Sequence, residues 1–473
     1  MSRNITIDDL YLFKQISRPR ISPDGQQVAY VVTTIDKSTQ KYCSSIWISS
    51  IDSEDTRRFT GGASNAHSPC WSPDGRWLAF VTDREGEPAG KEQAESKKHS
   101  KAKSQIWLIP TDGGEARQLT FMQHGASNPV WAPDNQRIIF NAQVGAVDDE
   151  TEDGKLLPKA RVIDRLWYRL DGVGFIYERR NHLFLIDLSG AESHQLTDGD
   201  WDDSDPAWSS DGSRIAFASS RAEDHWRLPC PDIYTLAITD GKSGELKCLT
   251  NGSLACSNPS WSPDGSKIIF VYDYSNYATK STIEIINSDG SDQHTIFSGL
   301  WASDGSPRWS PDGSRIIFYG DVKNQGYDLC IIPNNYKVGE NYAIAGTFGG
   351  VLGNPGFSVD GRYIIFSAPS TANVKSSIQV INAYNFSPVK DFGNFAKGTD
   401  YGDPVFIETP TFLVTAPGIN HDSSGNAVIS GPDPRQSENA GTNNLYQVII
   451  PAQNSMVAQN PTEYSYDMGD WGG

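Results

Sequence analysis

The sequence CWSPDGRWLAFVT at residues 70–82 is one of seven related copies along the 473-residue chain. The other copies are ISPDGQQVAYVV from Ile21, VWAPDNQRIIFNA from Val130, AWSSDGSRIAFAS from Ala207, SWSPDGSKIIFVY from Ser260, RWSPDGSRIIFYG from Arg308 and GFSVDGRYIIFSA from Gly356. Their aspartates stand at positions 24, 74, 134, 211, 264, 312 and 360, so the steps are 50, 60, 77, 53, 48 and 48 residues. A repeat near 50 residues is typical of β-propeller blades, each a four-stranded sheet.

The repeated phrase has the chemistry of a tight turn between two strands. Proline suits the second turn position, where φ is near −65°, and glycine suits the fourth. The apolar run after the turn is typical of a strand covered on both faces, as a blade is by its neighbours. An aromatic residue stands before six of the turns and has the bulk to fill a gap between blades: Trp71, Trp131, Trp208, Trp261, Trp309 and Phe357. We therefore assign a structural role to the repeated Asp and Trp.

The repeat sets the domain boundaries. Residues 1–17 read as an N-terminal amphipathic helix or extension, residues 18–454 as the all-β propeller and residues 455–473 as a tail. Two segments, 85–104 and 145–180, interrupt the rhythm as insertions. After the seventh unit, DPVFIETPTFLVTAPG and NLYQVIIPA look like a degenerate further blade. The pattern thus favours eight blades, with seven as the competing count.

Bulk properties exclude several classes of partner. The net charge is −18 and the pI is about 4.8, which argues against nucleic acid or an anionic membrane surface, since both need a basic face. No apolar run approaches the ~20 residues of a membrane span. The six cysteines are scattered without a C-x-x-C pair, which favours thiols in a cytoplasmic protein; a Cys248–Cys256 disulfide is the alternative for an exported one.

Several longer stretches resemble a known family. DDLYLFKQISRPRISPDGQQVAYVV near the N-terminus, KAKSQIWLIPTDGGEARQLT, the insertion ARVIDRLWYRLDGVGFIYERRNHLFLIDL and DGDWDDSDPAWSSDGSRIAFASSRAEDHW resemble the propeller of the prolyl oligopeptidase family, acylaminoacyl-peptidase branch. The resemblance covers about residues 5–250. Beyond about residue 256 the repeats resemble the broader TolB-type propellers.

The resemblance implies a propeller that restricts access to an α/β-hydrolase active site. That chemistry needs a Gly-x-Ser-x-Gly elbow, which does not occur in this sequence, so no catalytic residue carries over. We expect a non-catalytic scaffold that binds a peptide or protein, alone or as a subunit of a larger complex. Two alternatives are a metal-dependent channel enzyme of lyase or lactonase type and the propeller subunit of a split peptidase.

Three groups of residues are candidate sites. His67 and His124 precede innermost strands and could contribute to a channel metal, although a first coordination shell needs three or four ligands. We therefore expect no cofactor, with Ca or Mn as the alternative. The acidic run before the fourth turn could bind a ligand or calcium, or could cap turns and make the channel mouth negative: Asp200, Asp202, Asp203 and Asp205. The aromatic tail could anchor a partner through Tyr464, Tyr466 and Trp471.

Overall fold

The computed structural model describes residues 11, 14–53, 55–61, 64–85, 103–146, 168–170, 174–175, 179–190, 192–222, 230–250, 255–273, 281–300, 306–320, 328–338, 343–347, 355–370, 375–391, 420–421, 427–432 and 445–450. The chain divides into two compact units, residues 7–409 and residues 1–6 with 410–473. The larger unit carries seven four-stranded antiparallel sheets, the blades of a β-propeller. Of the expected N-terminal helix or extension, the structure describes residue 11 and residues 14–17, and residues 15–17 belong to the first strand of the propeller. Residues 455–473 lie outside the described residues.

Each blade is built from strands that follow one another along the chain, as far as the described residues show. Blade 1 contains β1 (Gln15–Ile21), β2 (Gln27–Asp36), β3 (Lys41–Ser50) and β4 (Thr56–Arg58). Blade 2 contains β5 (Ala66–Trp71), β6 (Trp77–Thr82), β7 (Gln105–Pro110) and β8 (Arg117–Gln118). Blade 3 contains β9 (Ala126–Trp131), β10 (Arg137–Gly145), β13 (Arg179–Asp187) and β14 (His194–Gln195), with the short hairpin β11 (Arg169–Leu170) and β12 (Gly174–Phe175) inserted.

The remaining blades repeat the plan. Blade 4 contains β15 (Asp203–Trp208), β16 (Arg214–Ser219), β17 (Asp232–Thr239) and β18 (Lys242–Cys248). Blade 5 contains β19 (Ala255–Trp261), β20 (Lys267–Asp273), β21 (Ser281–Asn287) and β22 (His294–Leu300). Blade 6 contains β23 (Arg308–Trp309), β24 (Arg315–Gly320), β25 (Asp328–Pro333) and β26 (Ala343–Thr347). Blade 7 contains β27 (Gly356–Phe357), β28 (Tyr363–Ser370), β29 (Lys375–Asn382) and β30 (Pro388–Asp391).

The Ser-Pro-Asp-Gly phrase forms the turn between the first and second strands of a blade. In blade 2 the Ser72 hydroxyl donates to Asp74 Oδ1 at 2.6 Å and accepts from the Trp77 amide at 3.0 Å. The Gly75 amide donates to the Ser72 carbonyl at 2.9 Å, and Gly75 takes a φ of 72°, which a side chain disfavours. The turn is thus fixed by its own side chains, as the sequence predicts.

The tryptophans before the turns join neighbouring blades. Each indole Nε1 donates to a carbonyl of the preceding blade: Trp71 to Arg20 at 3.0 Å, Trp131 to Cys70 at 3.0 Å, Trp208 to Val130 at 3.3 Å, Trp261 to Ala207 at 3.1 Å and Trp309 to Ser260 at 3.2 Å. The predicted gap-filling role is therefore confirmed and has a polar component. Blade 7 has Phe357 at this position, which lacks the donor.

The ring closes directly between blades 1 and 7. Ile16 and Tyr30 of blade 1 share one buried apolar cluster with Ile365, Ile378 and Val380 of blade 7. Closure leaves no place for an eighth blade between them, so the propeller has seven blades, the lower of the two counts. The segment expected to form the eighth contains a separate three-stranded sheet of β31 (Asn420–His421), β32 (Ala427–Pro432) and β33 (Leu445–Ile450).

Candidate functional site

Every blade has a residue–proline pair in or just before its first strand. The first residue of the pair stands three positions before the residue that precedes the turn. The pairs are Arg18-Pro19, Ser68-Pro69, Asn128-Pro129, Asp205-Pro206, Asn258-Pro259, Ser306-Pro307 and Asn354-Pro355. In the six pairs that the structure describes, the first residue has a positive φ of 35° to 54°. The ladder slips at this point in the first five blades, which is the pattern of a β-bulge. A bulge turns side chains away from the blade packing, so these residues are available for other contacts.

A cavity of about 590 Å³ opens along the first strands of blades 3 to 6, and we assign it to the central channel because the first strands of propeller blades surround that channel. Turn residues of blades 2 to 4 line it together with the bulge residue and the residue after the proline of successive first strands. The bulge and post-proline residues are Asn128 and Val130 of blade 3, Asp205 and Ala207 of blade 4, Asn258 and Ser260 of blade 5, and Arg308 of blade 6. The wall combines these polar groups with apolar side chains such as Trp131 and Trp208.

Positive charge dominates one side of the channel. Arg20 in blade 1 and Arg308 in blade 6 occupy the same position after the proline, and Arg18 is the bulge residue of blade 1. Burial by the surrounding ring, reinforced by the charge of Arg20, lowers the pKa of Arg308 to about 10. Burial also lowers the pKa of Arg20, and the charge of Arg18 adds to that effect. Arg20 is nevertheless open to solvent, as expected for a side chain inside a water-filled channel.

Asp205 is the one member of the acidic run that lines the channel cavity among the described residues. Its Oδ2 lies 3.4 Å from the Ser204 hydroxyl and 3.4 Å from the Asn258 amide nitrogen. Arg308 lines the same cavity and lies within electrostatic range of Asp205. The negative channel mouth stays a prediction, and Asp205 contributes a carboxylate to the described part of the cavity wall.

Asp203 is buried between blades 3 and 4. Its side chain is 0% exposed and receives His182 Nδ1 at 3.0 Å and Arg221 Nη2 at 3.1 Å. His182 Nε2 lies 3.2 Å from the Gly199 carbonyl, so both ring nitrogens are used. The Arg221 guanidinium also lies over the Trp201 ring, 4.9 Å from its centroid. This network fastens two blades together.

Asp200 and Asp202 make local contacts. Asp200 pairs with Arg180 Nε at 2.9 Å, and Asp202 accepts from the Asn181 amide at 2.7 Å. Burial raises the pKa of Asp202. The described residues contain no cluster of three or more His, Cys, Asp or Glu side chains arranged for a metal ion. Within that part of the chain, the run is used for capping and for blade contacts.

The two candidate histidines make separate contacts in blades 2 and 3. His67 lies on β5, four residues before Trp71, and its Nδ1 is 3.0 Å from the Ser68 hydroxyl. Burial lowers the pKa of His67, and the charge of Arg18 adds to this. His124 precedes β9, and its Nε2 is 3.4 Å from the Gly145 carbonyl. Tyr464, Tyr466 and Trp471 lie outside the described residues.

Arg20 and Arg308 are absent from the sequence-based candidates, although the sequence contains a signal for them. Aligning the seven copies on the proline gives the column Arg20, Cys70, Val130, Ala207, Ser260, Arg308 and Gly356. Two arginines stand out in a column of small or apolar residues. The bulge column beside it contains Asp205, which the sequence analysis selected only as part of the acidic run.

Comparison with known proteins agrees with this geometry. The TolB β-propeller domain model matches residues 12–150, and the dipeptidyl peptidase IV N-terminal region model matches residues 209–324. The uncharacterized peptidase YuxL of Bacillus subtilis is 32% identical over 241 residues, which is 50% of this chain and 34% of that protein. Dipeptidyl-peptidase 5 of Porphyromonas endodontalis is 26% identical over 281 residues, 56% of this chain and 38% of that protein.

Among solved structures, acylaminoacyl peptidase of Pyrococcus horikoshii is similar with a TM-score of 0.58 at 18% identity, over 81% of this chain and 53% of that one. At that identity the likeness concerns the fold. The chain spans about a third of the length of the curated relatives it matches. The resemblance to peptidase propellers and to TolB propellers, inferred from the sequence, is confirmed. The described residues contain no helix with the length and apolar character of a membrane span.

Proposed function

We propose that this propeller binds peptides in its central channel and controls their access to a peptidase active site, without carrying out the cleavage. The observation behind the proposal is the cavity of about 590 Å³, whose wall is made of bulge and post-proline positions such as Asn128, Asp205 and Asn258. Clefts of a few hundred Å³ with a few convergent polar groups are typical ligand sites. A rigid ring positions those groups with little loss of entropy on binding.

Two further facts support this function. The relatives that match half of the chain are named peptidases, and their propellers supply the resemblance. The sequence has no Gly-x-Ser-x-Gly elbow, so the propeller residues themselves offer no nucleophile of that type. The described residues contain no cluster of metal-ligating side chains that would favour the metal-dependent channel enzyme over peptide binding.

The proposal is tested by peptide binding to the purified full chain. Fluorescein-labelled peptides of different sequence would be titrated and followed by anisotropy, with Ala207→Phe narrowing the channel and Ser243→Phe on the exposed strand β18 as the matched control. We expect Ala207→Phe to abolish binding and Ser243→Phe to preserve it. Equal affinity of the two variants, or cleavage of the peptides by the purified chain, would contradict the proposal.

We propose that the partner is a serine hydrolase module and that residues 455–473, with Tyr464, Tyr466 and Trp471, contribute to the contact. A fluorophosphonate probe labels active serine hydrolases, so a labelled protein should co-purify with the chain and disappear when residues 455–473 are removed. An unlabelled eluate, or labelling that does not depend on the tail, would count against it.

We also propose a cytoplasmic location. The six cysteines support it, because all of them are free thiols. Cell fractionation tests this proposal.

A further inference from the structure

Arg20 and Arg308 are arranged as a pair around blade 7. Each is the residue after the proline, and each has an equivalent register partner on the second strand of its blade, Ala29 for Arg20 and Ile317 for Arg308. Blade 7 stands between blades 6 and 1 in the closed ring, and its residue at this position is Gly356. The two guanidinium groups therefore flank a position without a side chain.

The two arginines use little of their hydrogen-bonding capacity within the described residues. Arg20 Nη1 donates to the carbonyl of Pro19 at 3.0 Å, and Arg308 Nη1 donates to the carbonyl of Pro307 at 3.0 Å. Neither forms an ion pair with a carboxylate in that part of the chain. Each guanidinium has five N–H donors, so most of these donors are left for another acceptor. The charges of Arg20 and Arg308 act on each other, and an anion bound by both guanidinium groups would relieve that repulsion.

The space between them is open. A Cβ built on Gly356 would lie 3.9 Å from Ile365 Cγ2 and would meet no other atom within 4 Å outside its chain neighbours. Blade packing therefore leaves room for an added group at this glycine, in the blade that stands between the two arginine-bearing blades. A larger side chain at residue 356 would occupy the same space as a ligand.

We propose that Arg20 and Arg308 bind a carboxylate of the peptide ligand in the gap over Gly356. This inference rests on the proposed peptide-binding function and specifies its ligand class. The planar fork of arginine matches a carboxylate with two parallel hydrogen bonds. Asp205 lies within electrostatic range of Arg308 and would repel a highly charged anion. The site therefore suits one carboxylate, either an acidic side chain or the C-terminus of a peptide.

The test compares peptides that differ only in charge. A binding peptide would be used in four forms, with Glu or Gln at one position and with a free or amidated C-terminus, against wild type, Arg20→Gln, Arg308→Gln and the control Arg214→Gln at an exposed site. We expect a carboxylate form to bind about 10- to 100-fold tighter than its neutral form, since hydrogen bonds to charged groups have that effect. Each channel variant should remove most of this preference, and Arg214→Gln none of it.

Two additional measurements keep the outcomes separate. Gly356→Val keeps both arginines and fills the gap, so it should lose the carboxylate preference while still binding the neutral peptides. Inorganic phosphate should compete weakly, and tight phosphate competition would refute the carboxylate assignment. Equal affinity of wild type for acidic and neutral forms would overturn this inference alone. Failure of every peptide to bind would overturn the proposed function as well.

Discussion

Replacing Asp203 with Asn should destabilise the propeller more than any other single charge change near the acidic run. The carboxylate is 0% exposed and bonds His182 at 3.0 Å and Arg221 at 3.1 Å, so the substitution leaves the Arg221 charge enclosed without its counter-charge. Breaking a buried ion pair by removing one partner costs about 3–5 kcal/mol. With an unfolding entropy of about 2 cal/mol/K per residue over the propeller, this corresponds to a fall in Tm of roughly 4–6 °C.

The assay is thermal unfolding followed by circular dichroism, with Asp200→Asn as the matched control. Asp200 is 57% exposed in its pair with Arg180, and exposed pairs contribute about 0–1 kcal/mol. The double variant Asp203→Asn with Arg221→Met should recover part of the loss, because it removes the uncompensated charge. A fall in Tm no larger than that of Asp200→Asn, or strictly additive effects in the double variant, would refute the buried-network interpretation.

Three other predictions concern the repeated elements. Trp131→Phe removes the indole donor to the Cys70 carbonyl and should lower the free energy of unfolding in urea by about 1–3 kcal/mol. Gly75→Ala forces a side chain into a φ of 72° and should cost about 1 kcal/mol in the same assay, whereas Gly61→Ala, with no atom within 4 Å, should be nearly neutral. The Ser310 hydroxyl and the Ser314 amide lower the pKa of Asp312 to about 2, below its unfolded value near 3.9. The stabilisation from this carboxylate is therefore present above about pH 4 and is lost as the pH falls toward 2. When Tm is measured from pH 5 to pH 2, it should fall less steeply for Asp312→Asn than for wild type.

The sequence predicts the blades because the turn signal is local. Each Ser-Pro-Asp-Gly phrase contains its own hydrogen bonds, as Ser72 and Asp74 show, so the seven turns follow from the residues alone. Blade number depends on closure, which is made by side chains far apart in the chain, such as Ile16 and Ile365. The strand-like pattern after residue 403 therefore suggested an eighth blade, although the ring was already complete.

The channel wall was only partly predictable. The acidic run drew attention to Asp203 and Asp205 together, although the first is enclosed between blades and the second lines the cavity. The two carboxylates lie in different environments because the β-bulge at Asp205 changes the direction of the strand between them. Arg20 and Arg308 stand about 290 residues apart and become a pair only when the ring closes around Gly356.

The completion of every blade by its own consecutive strands has a consequence for how such chains can change in length. In this arrangement a blade is a self-contained cassette of about 50 residues, and among the described strands no backbone ladder joins the two ends of the ring. Duplication or deletion of one cassette would break no β-ladder. It would require only new apolar complementarity where two blade faces meet, and it would change the width of the axial hole and the set of side chains around it.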